Sequence, residues 1–278
     1  MKRKHFILAL VAMLWSFSFS AFADDVIVVR SWAELKAALE ANDGVQRSAA
    51  RQRSTAMRAT SKQIPGTPYF EEDFAGKRVL LEADVVEESP VTIALEGSAT
   101  IDLNGHTMKG STDGSHSYPI VNNGNLLVVD NSVNGNGAIY CGIKTGVKFT
   151  TGDINHDAVF VMTGGSIICA HENDDDDDAA LVNHGIAYIT GGTIEGAKNA
   201  VWNDEGSKFY AKVPALIDGA VINDGTSDVQ SGVPVVAKIG NVKYGSLQKA
   251  VDEAQDGDVI TLINNVKEDV LNSASLTL

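Results

Sequence analysis

A strand-and-turn phrase recurs at nearly constant spacing in the middle of this chain, and it restricts the fold more than any other feature. GGSIIC starts at Gly164 and GGTIEG at Gly191, a step of 27 residues. Each follows a short apolar strand and a threonine, FVMT before the first and AYIT before the second. One step earlier, GAIYC from Gly137 aligns with GSIIC from Gly165 at a step of 28. A second column holds VNNG at Val121 and VNHG at Val182, with WNDEG at Trp202 and INDG at Ile222 as looser copies. Ile139 and Cys141 alternate with Ala138 and Tyr140; Ile167 and Cys169 alternate with Ser166 and Ile168. A period of two belongs to a strand. Short strands recurring every ~20–30 residues predict a parallel solenoid, because a helical repeat needs long runs of 3.6 periodicity.

The residue types suit that architecture. Stacked coils place inward side chains in columns, so Ile, Val and Leu form the core. Asn at a bend hydrogen-bonds neighbouring backbone and stacks on the Asn of the next coil. Gly supplies the positive φ that lets the chain turn between faces. The chain has 26 Gly and only 6 Pro, which fits many bends beside ladders that need their N–H donors.

The most specific phrase is SATIDLNGHTMKG, Ser98 to Gly110. With the hydrophobic-T-G-G-T-I phrases of the coils, it resembles secreted and cell-surface bacterial proteins of the right-handed parallel β-helix type, the pectate-lyase-like superfamily. The resemblance covers Val26 to Ala41 and Arg78 to about Gly225, and it starts afresh at Val236. It implies an all-β solenoid, a single-stranded right-handed parallel β-helix with an N-terminal α-helical cap. These motifs speak for a fold and carry no catalysis.

The two ends of the chain echo each other. SWAELKAALEANDG from Ser31, resumed as RVLLEADVV from Arg78, parallels YGSLQKAVDEAQDGDVITLINNV from Tyr244 to Val266. Trp32, Leu35, Ala38 and Leu39 form one face of a helix, suited to cover the open end of a first coil. Tyr244, Leu247, Ala250 and Val251 repeat that face before an Asp-Gly turn and a buried strand. Two readings stand for this unit: the start of a second β-helix that is cut off at Leu278, or a C-terminal cap of the first.

Residues 1–23 read as a signal peptide. Lys2, Arg3 and Lys4 precede the apolar FILALVAMLW, and Ala21-Phe22-Ala23 forms a small-x-small cleavage site. The mature chain then begins at Asp24, with residues 24–97 as the cap region, 98–235 as coils and 236–278 as the restarted unit. No other apolar run is long enough to span a bilayer, so a secreted or cell-surface location without a transmembrane segment is expected. The net charge of −14 becomes −17 once the three basic leader residues are lost. Such an acidic body argues against nucleic acid as a partner.

Several groups are candidates for chemistry. Glu172, Asp174, Asp175, Asp176, Asp177 and Asp178 place six carboxylates within seven residues. They predict an exposed loop that binds cations loosely; the sharper alternative is a specific Ca²⁺ site, but the alternating Asp and Gly of a true Ca²⁺ loop is missing. No other cofactor is expected. The insertion 44–66 carries Arg47, Arg51, Arg53, Arg58 and Lys62 and no acid. It reads either as a mobile insertion on an acidic body or as an anion-binding arm. Cys141 and Cys169 fall at equivalent positions of neighbouring coils. Parallel strands ~4.8 Å apart allow either a disulfide or a pair of reduced core thiols.

Enzymes of the resembled superfamily set a test. Its lyases use acidic Ca²⁺ ligands and usually an arginine base, yet no arginine follows Arg78. Its glycosidases pair carboxylates beside Gly-His-Gly and Arg-Ile-Lys. Here His184-Gly185 stands alone, and His184 occupies a position where another coil has Asn123, which marks it as a bend residue. Asp130, Asp153, Asp157 and Glu195 are the scattered carboxylates that an enzyme would have to converge. The sequence therefore reads as a noncatalytic exported module for adhesion or glycan contact, touching an extracellular glycan or a host or neighbouring surface. The alternative class is a polysaccharide lyase or glycoside hydrolase acting on acidic glycans.

Overall fold

The computed structural model describes residues 26–40, 62–87, 93–110, 120–140, 143–145 (by their backbone), 157–169 and 179–264. The chain opens with β1 (Val26–Val29) and α1 (Trp32–Glu40), and a 3-10 turn follows at Glu71–Phe74. Strands then come in threes. First are β2 (Arg78–Leu81), β3 (Val85–Val86) and β4 (Ile93–Leu95); next β5 (Ser98–Asp102), β6 (Thr107–Lys109) and β7 (Ile120–Asn122). Then come β8 (Asn125–Val129), β9 (Ala138–Tyr140) and β10 (Ile143–Thr145), and β11 (Val159–Met162), β12 (Ser166–Cys169) and β13 (Ala179–Asn183). After β14 (Ile186–Ile189), the long β15 (Thr193–Asn203) serves two faces. β16 (Lys208–Ala211), β17 (Leu216–Asn223) and β18 (Thr226–Val229) complete the series.

These strands form two stacked, wholly parallel sheets. One has eight strands in the order β1-β2-β5-β8-β11-β14-β16-β18. The other has ten: β3-β6-β9-β12 run up to β15, β13-β10-β7-β4 lead away from it, and β17 lies along β15. The arrangement is compatible with a β-solenoid. The repeat of GGSIIC and GGTIEG is a true register, since Ile167 pairs with Ile194 and with Ile139. Val121 and Val182 share a column through position 144, which continues to Trp202 and Ile222.

The core is built from such columns. Val85, Met108, Ile139, Ile167, Ile194 and Ile217 follow one another in register and are all buried. Ala99, Leu126, Phe160, Ala187 and Phe209 form a second column, in which large and small side chains interdigitate. At one corner Leu95 gives way to Asn122, Thr145, Asn183, Asn203 and Asn223. Asn183 Nδ2 donates to Asn203 Oδ1 at 2.7 Å, and Asn203 Nδ2 donates to Asn223 Oδ1 at 2.7 Å. Each Asn amide also meets backbone: Asn122 Nδ2 donates to Val159 O at 2.9 Å and Asn183 Nδ2 to Lys208 O at 2.9 Å. The buried members, Asn122, Asn183 and Asn203, are tolerated because backbone groups and neighbouring Asn side chains satisfy their amides.

Helix α1 buries Trp32, Leu35, Ala38 and Leu39 in the same apolar cluster as Val79, Ile93 and Leu95. Each large side chain removed from water there contributes roughly 1.5–3 kcal/mol. The C-terminal unit is different in kind. β19 (Ala237–Ile239), β20 (Val242–Tyr244) and β21 (Ile260–Leu262) form an antiparallel sheet beside α2 (Leu247–Glu253), around a small core of Ala237, Tyr244 and Ala250. Two expectations are corrected here. Tyr244 lies in β20, so it is not on the helix as Trp32 is; the helix begins after Ser246, whose hydroxyl accepts the Lys249 N–H. The strand over Ile260–Leu262 is not buried either: Leu262 is 55% exposed.

Among the described residues the unit meets the coils at several places, Asn264 Nδ2 donating to Val235 O at 2.6 Å among them. Lys243 Nζ lies 2.6 Å from Glu195 and 2.8 Å from Asp218, outward neighbours on β15 and β17. Gly245 lies so close to Gly232 that a Cβ there would come within 1.7 Å of the Gly232 carbonyl oxygen.

Candidate functional site

The outward side chains of the eight-stranded sheet form a row that changes character along its length. Arg78, Thr100, Leu127, Val161, Tyr188, Tyr210 and Asp228 succeed one another in register. Outward leucine and valine would be a liability if left bare. Here a strap made of residues 62–75 lies across them. Its Ile64 and Phe74 cluster with Leu127, Val159 and Val161, all buried. Polar ties hold it down: the Thr100 hydroxyl donates to Phe74 O at 3.2 Å and Asn125 Nδ2 donates to Asp73 O at 3.3 Å. The strap itself is a tight turn, closed by Ile64 N donating to Tyr69 O at 2.9 Å and the Thr67 hydroxyl donating to Ile64 O at 3.0 Å.

The strap ends against aromatic rings. Tyr69 meets Phe74 edge-on at 6.0 Å and Tyr188 edge-on at 5.6 Å. Tyr188 then stacks on Tyr210 with centroids 4.6 Å apart and planes at 16°. The spacing follows from the fold, because in-register residues on neighbouring parallel strands stand ~4.8 Å apart, close to aromatic stacking distance. Past the strap lies an open hollow of about 580 Å³, lined by Gln63, Thr67, Tyr188, Tyr210, Lys212 and Asp228. Gly66 forms part of its wall at φ 78°, and a Cβ there would press on Thr190 at 3.1 Å. Burial, with the charges of neighbouring groups, raises the pKa of Tyr69 and Tyr188, so both hydroxyls stay protonated at neutral pH. The hollow offers hydroxyls and ring edges, an ammonium donor from Lys212 and a carboxylate acceptor from Asp228.

The residues singled out in the sequence do not gather here. Asp130 is engaged by backbone: its carboxylate accepts from Gly105 N at 2.9 Å, Ser132 N at 3.1 Å and Gly137 N at 2.6 Å. Desolvation pushes its pKa up, but these hydrogen bonds outweigh that and leave it lowered. Glu195 pairs with Lys243. Asp157 is exposed in a turn. His184 is buried at the bend after the Asn column, with Nδ1 2.8 Å from Asp204 Oδ2 and its ring edge-on to Trp202 at 5.5 Å, the setting of a bend residue. Lys62 lies 3.3 Å from Glu71. Cys169 is half-buried against the main core. Asp153, Cys141, the acidic run 172–178 and Arg47, Arg51, Arg53 and Arg58 fall outside the described residues.

No protein-family model, curated protein or solved structure matches this chain. The site must therefore be read from its own geometry. Among the described residues no group of three or more His, Cys, Asp or Glu is set to hold a metal ion, and no helix is long and apolar enough to cross a membrane. The groove residues Tyr188 and Tyr210 were not singled out in the sequence. The signal was present: each tyrosine sits between two inward residues, Ala187 and Ile189 or Phe209 and Ala211, which forces it outward.

Proposed function

We propose that this chain is a noncatalytic, right-handed parallel β-helix module of an exported surface protein, and that the hollow beside Tyr188 and Tyr210 contacts glycan. The observation that carries the reading is the stacked tyrosine pair at the mouth of an open hollow with one cationic and one anionic side chain. Rings that present an apolar body and a polar tip suit a sugar, which offers C–H faces and hydroxyls together. The volume lies within the ~300–1,000 Å³ of ordinary small-ligand sites. The right hand is supported by the strong preference of parallel strand crossovers for it. Helix α1 acts as the N-terminal cap, since its apolar face and the first-coil residues share one core.

Binding without turnover fits the carboxylates. Glycoside cleavage takes two facing carboxyl groups. Asp228 is the one carboxylate among the described residues lining the hollow, and Asp130 and Glu195 are held by backbone N–H groups and by Lys243. The closest test is affinity electrophoresis of the mature protein through gels carrying neutral, N-acetylated or uronic polysaccharides. Retardation in at least one gel, lost in Tyr210→Ala, is expected. Equal mobility in every gel sinks the reading. So does formation of unsaturated products or new reducing ends that Asp228→Asn abolishes.

A further inference from the structure

Four Asn-Gly pairs stand at bends of the coils: Asn104-Gly105, Asn123-Gly124, Asn134-Gly135 and Asn136-Gly137. Such a pair is prone to lose ammonia. The glycine amide nitrogen gives its proton to solvent base and attacks the Asn side-chain carbonyl carbon. The bond from that carbon to the side-chain nitrogen breaks, and the nitrogen leaves as ammonia with a proton from water. Water then opens the cyclic imide to aspartate or isoaspartate. Two things oppose the reaction: an acceptor that holds the glycine N–H, and contacts that hold the Asn side chain away.

The four pairs differ sharply in both. Gly105 N donates to Asp130 Oδ1 at 2.9 Å, and Gly137 N donates to Asp130 Oδ2 at 2.6 Å, so one carboxylate grips two of the four glycine amides. Removing either proton would create a second negative charge beside an existing one. Asn104 is further tied, Nδ2 donating to Leu81 O at 3.0 Å. Gly124 N donates to Asn122 Oδ1 at 3.0 Å and is wedged against the next coil, where a Cβ would lie 2.0 Å from Gly97 O. Asn123 Nδ2 reaches Glu96 at 3.3 Å. Gly135 is the exception. Among the described residues its N–H meets only the neutral hydroxyl of Ser132 at 3.1 Å, and a Cβ there would meet nothing within 4 Å. Asn134 and Gly135 are exposed, and Asn134 makes no side-chain hydrogen bond among the described residues.

We propose that Asn134 is a spontaneous deamidation site of the folded protein, and that Asp130 shields Asn104 and Asn136 from the same reaction. Asn136 makes the comparison sharp. Its side chain is as exposed as that of Asn134 and only two residues away, but Gly137 is buried where Gly135 is exposed, so the carboxylate on the Gly137 N–H and the burial of that amide together separate the two sites. Conversion at Asn134 adds a negative charge to a turn between β8 and β9 and leaves the apolar columns untouched. It is a slow chemical mark of age on the folded molecule.

The test is peptide mapping by mass spectrometry after incubating the mature protein in ¹⁸O-water at mildly alkaline pH, beside the same protein unfolded in urea. In the folded protein Asn134 should convert nearly as fast as in the unfolded chain. Asn136 should lag by at least about tenfold, the factor to which one charge-assisted hydrogen bond corresponds. In urea the two should convert at similar rates. Folded Asn136 keeping pace with Asn134, or Asn134 staying intact while the unfolded control converts, overturns the proposal. Asp130→Ala should raise the rates at Asn104 and Asn136 and leave Asn134 unchanged. If that variant folds and Asn136 is not accelerated, the shielding role is wrong. If it does not fold, the Asn134 to Asn136 ratio in the parent decides.

Discussion

Asn183 donates its side-chain amide to the Asn203 side chain at 2.7 Å across two neighbouring coils, and Asn203 hands the same bond on to Asn223. Asn203 also accepts from the Ser207 hydroxyl at 2.7 Å and is fully buried. Replacing it by leucine leaves several buried partners short of a hydrogen bond. Asn203→Leu should cost about 2–3 kcal/mol, read from the shift in urea midpoint at constant slope. Asn223→Ala, at the exposed end of the row, should cost about 0.5 kcal/mol or less. Equal costs at the two positions argue against a cooperative column.

Ile167 and Ile194 are adjacent members of one fully buried column. A carboxylate at either place has no partner and no water. Ile167→Asp and Ile194→Asp should each prevent folding, seen as loss of soluble product or of a cooperative melt. A variant that melts like its parent contradicts the inward assignment.

On the proposed glycan reading, charge in the hollow should set which glycan is retarded. Lys212 and Asp228 cancel, and the body around them is acidic, with a chain net charge of −14. Neutral glycans should therefore be retarded more than uronic ones at low salt. Asp228→Lys should reverse the order, and added salt should erase the difference as screening sets in within ~10 Å. Retention of neutral glycans that is unaltered by Tyr210→Ala places binding elsewhere on the molecule.

Lys243 fastens the C-terminal unit to Glu195 and Asp218. Desolvation lowers its pKa, but hydrogen bonding and charge from the two carboxylates outweigh that and leave it raised above 10.5. A raised lysine pKa means the stabilisation is fully present below about 10.5 and is lost as pH climbs through the folded-state value. Lys243→Met should speed limited proteolysis near residues 230–245 at neutral pH and leave the main melt of the coils little changed. The parent should acquire the same sensitivity only under strongly alkaline conditions. Unchanged cleavage in the variant assigns the attachment to the Gly232–Gly245 approach instead.

The sequence by itself determined the columns. Alternation is a local property of an extended backbone, so Ile139, Ile167 and Ile194 had to face one way. A 27- or 28-residue step then aligned them without any long-range information. The Asn bends were legible for the same reason, as was the apolar face of α1. Tyr244 departs from the expected helix face because an i, i+3 spacing at a helix start does not distinguish the first helical turn from the strand that precedes it. The groove was decided only in three dimensions. Tyr188 and Tyr210 meet because one particular coil has the length it has, and coil lengths vary with turns that obey no period. Tyr69 reaches them from a strap far earlier in the chain, drawn there by the outward apolar residues Leu127, Val159 and Val161. Nothing local to residues 62–75 names that surface, since hydrophobic burial is non-directional and finds its partner only once the coils have stacked.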